Sequence, residues 1–323
     1  MFITPFYLRM QGRIRKHGLR WEESFMEIES NKHLVCPGNI LKSMLFLLAT
    51  AWLMSCGGRY KNPEHTVVLE EEGQYQSFPS IPPLLIPGEE LRYNLSLRGI
   101  VGGQATVSVG QPTEHHGHKG IPLHSTVETV GIVAFVKEIR DDILAWVDIE
   151  TGLPFDSVAS VKFGSKEALV QTRFADGKGG SFAFDYERKG RSNIRLKQSM
   201  PKDRFAQDIH GAMGVFRAWD VPDNHQGEMH LLSGRRLWRG RFKVTRNQKI
   251  KLPFGKFKAI RVDGIAQKIS LSFKENNTKK PRYFSVWISE DQNRLPLLVL
   301  AKTEYGDVRV ELVEYIRHEA DDL

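Results

Sequence analysis

From residue 91 onward, apolar residues recur at every second position within short segments. In residues 91–97, leucine and tyrosine occupy the odd positions, and polar or charged residues occupy the even ones. This is the period of a strand with one buried face. Gly99 to Gly103 supply a turn, and residues 105–109 return as a second strand. Because the connections between such segments are short, neighbouring strands should pair antiparallel.

One segment departs from the strand period and predicts a helix. Its apolar residues recur at intervals of four, four, three and three, which is the spacing of one helix face. Asp203 stands at the N-cap position, and Asp220-Val221-Pro222 ends the run. Such a stripe is more typical of a core contact than of a cofactor site. It comprises Phe205, Ile209, Met213, Phe216 and Trp219.

These patterns predict a mainly β fold: a large antiparallel, strongly curved sheet, or a partly open barrel or sandwich, with one amphipathic helix packed on it. Hydrophobic residues make up 41% and charged residues 26% of the chain, which is enough apolar material for one sizeable core. Trp146–Pro154 and Trp287–Pro296 share the order strand, polar turn, Leu-Pro. This repeat indicates either two similar halves joined by the helix or a coincidence between two common turns.

An apolar run at residues 44–54 precedes Cys56. It is too short to span a bilayer but has the length of a secretory signal core. With Cys56-Gly57-Gly58 after it, the segment resembles a bacterial lipoprotein signal, although a buried helix with a chance cysteine is the alternative. The resemblance implies cleavage before Cys56 and attachment of diacylglycerol and a further acyl chain such as palmitate. Gly57, where an aspartate would retain the protein at the inner membrane, implies sorting to the outer membrane, facing the periplasm.

The chain therefore divides into four predicted regions. Residues 1–55 form a leader whose first part fits no targeting class, so that Met26 is a candidate for the true start. Residues 56–87, acidic and proline-rich, form an extended tether. Residues 88–316 form the β domain, and residues 317–323 a polar tail. The net charge of +8 falls to +5 once the leader is removed, a mild excess that does not require a nucleic-acid partner.

No residue pattern indicates catalysis or a resident cofactor. Both cysteines, Cys36 and Cys56, precede the β domain, which excludes an internal disulfide or a cysteine metal site there. The chain has no nucleophile elbow, zinc-protease helix or phosphate-binding loop. The acidic pairs Asp141-Asp142 and Glu290-Asp291 fit strand-end and turn roles, because neighbours in a strand point to opposite faces. We therefore expect a protein that is not an enzyme.

His115, His116 and His118 are candidate ligands for a transition metal, since imidazole binds copper, nickel and zinc. They lie between Pro112 and Gly120 in a polar hairpin loop with one neighbouring acid, Glu114. This setting favours a solvated loop over a metal site, which would require oriented partners around the ligands.

The highest density of positive charge lies in residues 235–244. In a strand, Arg239, Arg241 and Lys243 would share a face with Leu237, and Trp238 would lie on the other face. The segment is a candidate strip for an anionic ligand, with a solvated outer face as the alternative. An exported protein would meet lipid, lipopolysaccharide or peptidoglycan there rather than nucleic acid. The strip comprises Arg235, Arg236, Arg239, Arg241 and Lys243.

Several segments together resemble DUF3108, a family of exported bacterial proteins of undefined function. The resemblance covers roughly residues 85–316 and implies a periplasm-facing, β-rich domain, but no catalytic residues. The helix departs from the family pattern, with His210-Gly211-Ala212 in place of Leu-Ser-Ala. The segments that carry it are Gly88–Tyr93, Gly99–Gly103 with Ala105, Val147–Pro154, Asp208–Arg217, Leu252–Ala259, and Val286–Asp291 through Leu295-Pro296 to Gly306.

The sequence thus predicts an envelope lipoprotein, attached to the membrane by its N-terminal lipid, whose β domain binds or scaffolds an envelope component. One version holds an apolar or anionic lipid ligand in a cavity between the curved sheet and the helix. The alternative is a structural or assembly protein with a filled core and an exposed apolar patch. A hydrolase is the third hypothesis.

Overall fold

The computed structural model describes residues 75–174, 180–188, 193–201, 204–270, 272–274, 281–303 and 306–318. Over these ranges the chain forms seventeen strands and two helices, α1 (Gly131–Val136) and α2 (Ile209–Ala218). The strands are β1 (Gln76–Ser77), β2 (Glu89–Leu97), β3 (Ile100–Val109), β4 (Thr113–His115), β5 (His118–Thr129), β6 (Ile139–Asp148), β7 (Pro154–Phe163), β8 (Lys166–Phe174), β9 (Ser181–Arg188), β10 (Ile194–Ser199), β11 (Ala206–Gln207), β12 (Gln226–Ser233), β13 (Arg236–Leu252), β14 (Gly255–Ile269), β15 (Arg282–Ser289), β16 (Pro296–Thr303) and β17 (Gly306–Arg317).

All strands belong to one large sheet, which confirms the predicted mainly β fold. Antiparallel pairing runs from β10 through β9, β8, β7, β6, β5, β3, β2, β17, β16, β15, β14 and β13 to β12. β4 pairs with β5, while the short strands β1 and β11 pair with β12 in parallel. Within the described residues, the pairing does not close the sheet into a barrel.

The sheet curves until its two edge regions share a core. One cluster joins Phe182 and Phe184 of β9 to Leu232 and Leu237 of β12 and β13. A second cluster surrounds Trp287 and the paired strands β2 and β17. Curvature of this degree follows from the right-handed twist that accumulates from strand to strand.

Helix α2 begins later than predicted, and its buried face includes glycines outside the predicted apolar stripe. Asp208 is the N-cap, and its side chain accepts a hydrogen bond from the backbone N–H of Gly211. Asp203 lies outside the described residues. Phe216 and Trp219 of the predicted stripe pack against the core, as predicted, but Ile209 is 47% exposed. Gly211 and Gly214 lie on the buried face. Two glycines let the backbone approach its neighbours closely, so the apolar stripe alone does not set the rotation of this helix.

The predicted tether is wrong for its last part. Phe78 and Leu85 are buried, and β1 pairs with β12. The backbone N–H of Leu84 donates to the carbonyl oxygen of Gly214 at 2.9 Å, which attaches the segment to helix α2. At the other end of the chain, the N–H of His318 donates to the carbonyl of Gly88 at 3.0 Å, so the fold extends past residue 316. The proline density marks an extended segment, but its apolar residues are core residues.

Candidate functional site

The connections of the antiparallel sheet alternate between its two ends. We call one end apical; it holds the turns at residues 98–99, 164–165 and 234–235, and the connection through α1. We call the other end basal; it holds the turn at residues 116–117 and the ends of β6 and β15. Features at opposite ends can therefore be altered independently.

Large apolar side chains are exposed at the apical end. α1 buries none of its six residues; Phe135 is 93% and Ile132 65% exposed. The helix contacts the adjacent hairpin, because a Cβ at Gly102 would lie 2.8 Å from Cγ2 of Val133. The sequence patterns did not predict α1, although its unbroken apolar run from residue 132 to 136 after a glycine is a signal for it. We define the apical patch as Ile100, Val101, Ile132, Phe135 and Val136.

Two cationic side chains flank the apical patch in sequence. Arg98 occupies the β2–β3 turn in a left-handed conformation (φ 50°), directly before the patch residues of β3. Lys137 follows α1, and its Nζ lies 4.3 Å from the ring centroid of Phe163. Glu138 forms an ion pair with Lys162 at 2.7 Å. The patch thus combines exposed apolar side chains with neighbouring positive charge.

The strip predicted at residues 235–243 lies on β13 and the turn before it. As predicted, Trp238 is in the core, while Arg239, Arg241 and Lys243 are partly exposed. Leu237, predicted to share their face, is buried between the sheet edges instead. Leu237 lies at the end of β13, where the two edge regions of the curved sheet meet. Both faces of the strand are therefore covered there.

An acidic residue on the neighbouring strand partly neutralises the strip. Glu228 of β12 forms ion pairs with Arg204, with Arg241 at 3.3 Å and with Arg239 at 3.8 Å. Burial alone would raise the pKa of Glu228, but the hydrogen bonds and charges of these arginines outweigh burial and hold the pKa below its ordinary value. The middle of the strip is therefore engaged within the protein.

The turn end of the strip carries a different charge environment. The guanidinium of Arg235 lies 4.1 Å from the ring centroid of Tyr186. Burial, together with the charges of Arg282 and Arg235, lowers the pKa of Arg236 to about 10. Positive charges thus lie close together at the apical end of β13.

One hypothesis from the sequence placed a ligand cavity between helix α2 and the sheet. Side chains fill this space. A Cβ at Gly214 would lie 2.8 Å from Pro83 and 3.1 Å from Leu85. Nearby, the cavity beside Phe78 and Met229 has a volume of about 10 Å³, room for about one water at most. A groove of about 480 Å³ runs beside Pro83, Arg217 and Arg294 on the open surface. The packing of the described residues therefore does not favour a ligand beneath the helix.

The three histidines lie at the basal end, where the structure brings His115 and His116 together but not His118. His115 is buried, which contradicts the solvated-loop prediction for this residue. Its Nε2 lies 2.7 Å from Oδ2 of Asp156 on β7, and Nε2 of His116 lies 3.7 Å from the same oxygen. His118 instead packs against Phe155, with the ring centroids 5.4 Å apart. Asp156 was missed because the sheet, rather than the hairpin, brings it to the histidines.

The acidic pairs occupy separate environments, as predicted. Asp141 is buried, and burial raises its pKa well above the ordinary value. Asp142 lies 2.7 Å from Nε2 of His124. Glu290 pairs with Arg246, while Asp291 accepts hydrogen bonds from the backbone N–H groups of its own turn. Neither pair forms a shared carboxylate site.

A buried ion pair that the sequence did not reveal joins helix α2 to the sheet. Both side chains, Glu89 of β2 and Arg217 of α2, are fully buried. Nη2 of Arg217 donates to Oε2 of Glu89 at 2.9 Å and to the carbonyl oxygen of Asn293 at 3.0 Å. The pair ties together segments 128 positions apart, a separation that hides it from local pattern analysis.

Cys56 lies outside the described residues, so its lipidation stays a prediction. Among the residues that the structure does describe, neither helix has the length and apolar character to cross a membrane.

A family model described as "Protein of unknown function (DUF3108)" matches residues 92–313. No curated protein matches the chain.

Three solved structures share a general similarity with the chain. A β-barrel-like protein of the domain of unknown function DUF1849 from Brucella abortus aligns at 12% identity and a TM-score of 0.48, covering 75% of this chain and 100% of that one. A Bacteroides fragilis protein with a YmcC-like fold, whose export is provisionally assigned, aligns at 9% identity and a TM-score of 0.33, covering 74% and 100%. A provisionally assigned lipoprotein from Parabacteroides distasonis aligns at 7% identity and a TM-score of 0.31, covering 73% and 99%. At these scores we draw no functional argument from them.

Proposed function

The chain belongs to the DUF3108 family, and from this premise we propose that it is a lipid-anchored cell-envelope protein whose β domain rests on an anionic lipid surface through the apical patch. The exposure of Phe135 and Ile132 on α1 carries the proposal. Contiguous exposed apolar side chains of this kind mark interaction surfaces. The filled space beneath helix α2 supports a role exerted at the surface rather than in a cavity.

The chemistry of the patch favours a lipid surface. Aromatic and aliphatic side chains that enter the boundary between headgroups and acyl chains gain hydrophobic free energy, about 1.5–3 kcal/mol for each one fully buried. A lysine or arginine beside an anionic surface adds about 1 kcal/mol. Arg98 and Lys137 flank the patch, and Arg235 and Arg236 lie at the same apical end. We therefore expect anionic bilayers to bind more strongly than neutral ones.

The predicted anchor permits this orientation. About 20 residues separate Cys56 from Tyr75, and a chain of that length reaches at most about 65 Å. Strands of about ten residues span only about 33 Å. A lipid on Cys56 can therefore hold the domain with its apical end at the bilayer, even though β1 pairs with the basal half of β12.

Vesicle flotation tests the proposal on the full chain carrying Cys56→Ser, which removes the anchor as a cause of binding. We expect binding to vesicles that contain phosphatidylglycerol and weaker binding to pure phosphatidylcholine. Ile132→Ser with Phe135→Ser should lower the partition coefficient at least tenfold. Both positions are exposed, so folding stability should change by only about 0.5 kcal/mol per site.

Two controls make the test specific. Phe254→Ser removes another exposed aromatic side chain, but at the basal turn of β13 and β14; it should leave binding unchanged. Arg239→Gln with Arg241→Gln alters the part of the strip that pairs with Glu228 and should also have little effect. Absence of vesicle binding would contradict the proposal and favour a protein partner for the patch. Equal losses in the α1 and Phe254 variants would also contradict it, because the binding would not depend on the apical end.

A further inference from the structure

The hairpin at residues 115–118 holds two histidines close together through its turn. His116 (φ 53°) and Gly117 (φ 78°) are both left-handed, as the central residues of a type I′ turn must be. His115 pairs with His118 across the hairpin. The ring centroids of His115 and His116 lie only 4.1 Å apart, although adjacent residues of a regular strand would point to opposite faces.

The sheet brings a carboxylate to the two imidazoles. Asp156 pairs with Trp146 in the register of β6 and β7, and its Oδ2 lies 2.7 Å from His115 and 3.7 Å from His116. One ligand atom from each of the three residues can be chosen such that all lie within 4.8 Å of one another. Asp156 is separated from His115 by 41 positions, so the cluster is a product of the fold.

Packing orients this cluster and leaves one side accessible. The His115 ring stacks on Trp146, with centroids 4.1 Å apart and an interplanar angle of 4°. The side chains of His115 and Asp156 are 8% and 12% exposed, whereas that of His116 is 50% exposed. The cluster therefore has two buried, oriented side chains and one side chain that solvent can reach.

We propose that His115, His116 and Asp156 form a binding site for a first-row divalent transition cation, of which Zn²⁺ is the reference. Imidazole nitrogen and carboxylate oxygen are ligands of zinc at about 2.0–2.2 Å, so two ligand atoms on one tetrahedral ion stand about 3.3 Å apart. Small side-chain movements bring the cluster to that spacing. Binding replaces the hydrogen bond between His115 and Asp156 with bonds from both side chains to the ion.

A positive side chain beside the cluster opposes metal binding. Arg173 lies opposite Asp156 in the register of β7 and β8. Its charge reduces the affinity for a cation without occupying a ligand position.

The alternative is a His–Asp hydrogen bond that serves stability alone, and His116 separates the two explanations. His116→Asn removes a ligand but keeps the turn, because asparagine tolerates the left-handed conformation and Asn-Gly is a preferred type I′ pair. Asp156→Asn removes the anionic ligand with little change in size. His118→Gln is the matched control, since it alters a histidine of the same hairpin outside the cluster.

Calorimetric titration with zinc chloride tests the proposal on the metal-stripped full chain carrying Cys36→Ser and Cys56→Ser, which removes thiol ligands. We expect one zinc per chain. His116→Asn and Asp156→Asn should each weaken binding at least tenfold, while His118→Gln should stay within twofold. Saturating zinc should raise the unfolding temperature of the parent chain but not that of His116→Asn.

Two results would overturn the site: no zinc binding by the parent chain, or unchanged binding after His116→Asn. Loss of binding in His118→Gln equal to that in His116→Asn would also do so, because it would place the metal across the hairpin instead. The site lies at the basal end and is independent of the lipid-surface proposal, so Ile132→Ser with Phe135→Ser should leave zinc affinity unchanged.

Discussion

Strand β6 leads into β7 through residues 148–153, and β15 leads into β16 through residues 289–295. The register shifts after Trp146 in one case and after Trp287 in the other. In the first turn, the backbone N–H of Asp148 donates to the carbonyl oxygen of Leu153, directly before Pro154, at 2.9 Å. In the second turn, the N–H of Ser289 donates to the carbonyl oxygen of Leu295, directly before Pro296, at the same distance. The predicted repeat of strand, polar turn and Leu-Pro is therefore confirmed in backbone geometry.

The two turns differ in how they meet helix α2. Each has a left-handed residue before its Leu-Pro: Gly152 (φ 66°) in one and Arg294 (φ 49°) in the other. Gly152 lies so close to Val215 that a Cβ would overlap it. Arg294 donates hydrogen bonds to the carbonyl oxygens of Arg217 and Trp219 at the C-terminal end of the helix, at 3.1 and 2.7 Å. The two turns therefore share a local motif but differ in the residue at the left-handed position. That residue determines how each turn contacts helix α2.

The largest expected effect comes from truncating the tryptophans before the turns. Trp146 and Trp287 are both buried, and tryptophan-to-alanine changes in a core cost about 3–5 kcal/mol. We expect Trp146→Ala and Trp287→Ala each to lower the free energy of unfolding by this amount, as measured by urea denaturation.

The pair also separates the functions of the two turns. Trp146 stacks on His115, whereas Arg261 lies over the ring of Trp287, 5.1 Å from its centroid. Only Trp146→Ala should therefore weaken zinc binding, measured below the unfolding temperature of both variants. Equal zinc affinity in the two would contradict the positioning of His115 by Trp146.

Substitutions at the two left-handed positions should lower the free energy of unfolding by a smaller amount. Gly152→Ala forces a side chain against Val215 and the carbonyl oxygen of Ile81 in a strained conformation, at a cost of about 1–3 kcal/mol. Arg294→Gly relieves the strain at its own position but loses two charge-assisted hydrogen bonds, a net cost of about 1–2 kcal/mol. Thermal unfolding of both variants measures the difference. If Gly152→Ala were neutral, the close docking of the first turn on helix α2 would be wrong.

The smallest expected effect is an increase, rather than a decrease, in the free energy of unfolding. Asp141 of β6 lies five positions before Trp146, and Arg282 of β15 lies five positions before Trp287. Asp141 is buried, and burial raises its pKa well above 3.8. With its folded-state pKa above its unfolded-state value, this carboxyl favours folding most at low pH and loses that contribution as pH rises through the folded-state pKa. Asp141→Asn should therefore stabilise the protein at neutral pH.

Urea denaturation near pH 4 and at pH 7 measures this difference. The stabilisation by Asp141→Asn should be present at neutral pH and shrink as the pH falls towards the ordinary aspartate pKa of about 3.9. An equal change at both pH values would show that packing, rather than charge, accounts for the variant.

Much of the architecture could be predicted because it depends on short-range patterns. Alternation in residues 91–97 identifies a strand with one buried face, since side chains in a strand change face at every residue. The resemblance to DUF3108 followed from motifs in the same strands and turns and was confirmed. α1 was missed because its six residues bury no apolar face, and amphipathic periodicity finds only helices that do.

The candidate sites could be predicted only in part. His115 and His116 were visible as neighbours in sequence, but Asp156 joins them through the register of β6 and β7. The strip on β13 was visible as charge, while its partial neutralisation by Glu228 depends on which strand lies beside it. Charge and residue type are local properties, whereas partners are set by pairing.

The sequence by itself determined the strands, the turns that join them and the family, because backbone period and turn chemistry act over a few residues. Only the tertiary structure decided which face of helix α2 is buried, that Phe78 and Leu85 belong to the core, and that Glu89 meets Arg217. These outcomes depend on the curvature of the sheet and on close approach at Gly211 and Gly214. They arise between segments far apart in the chain, where the packing of all neighbours together, rather than any local period, selects the contacts.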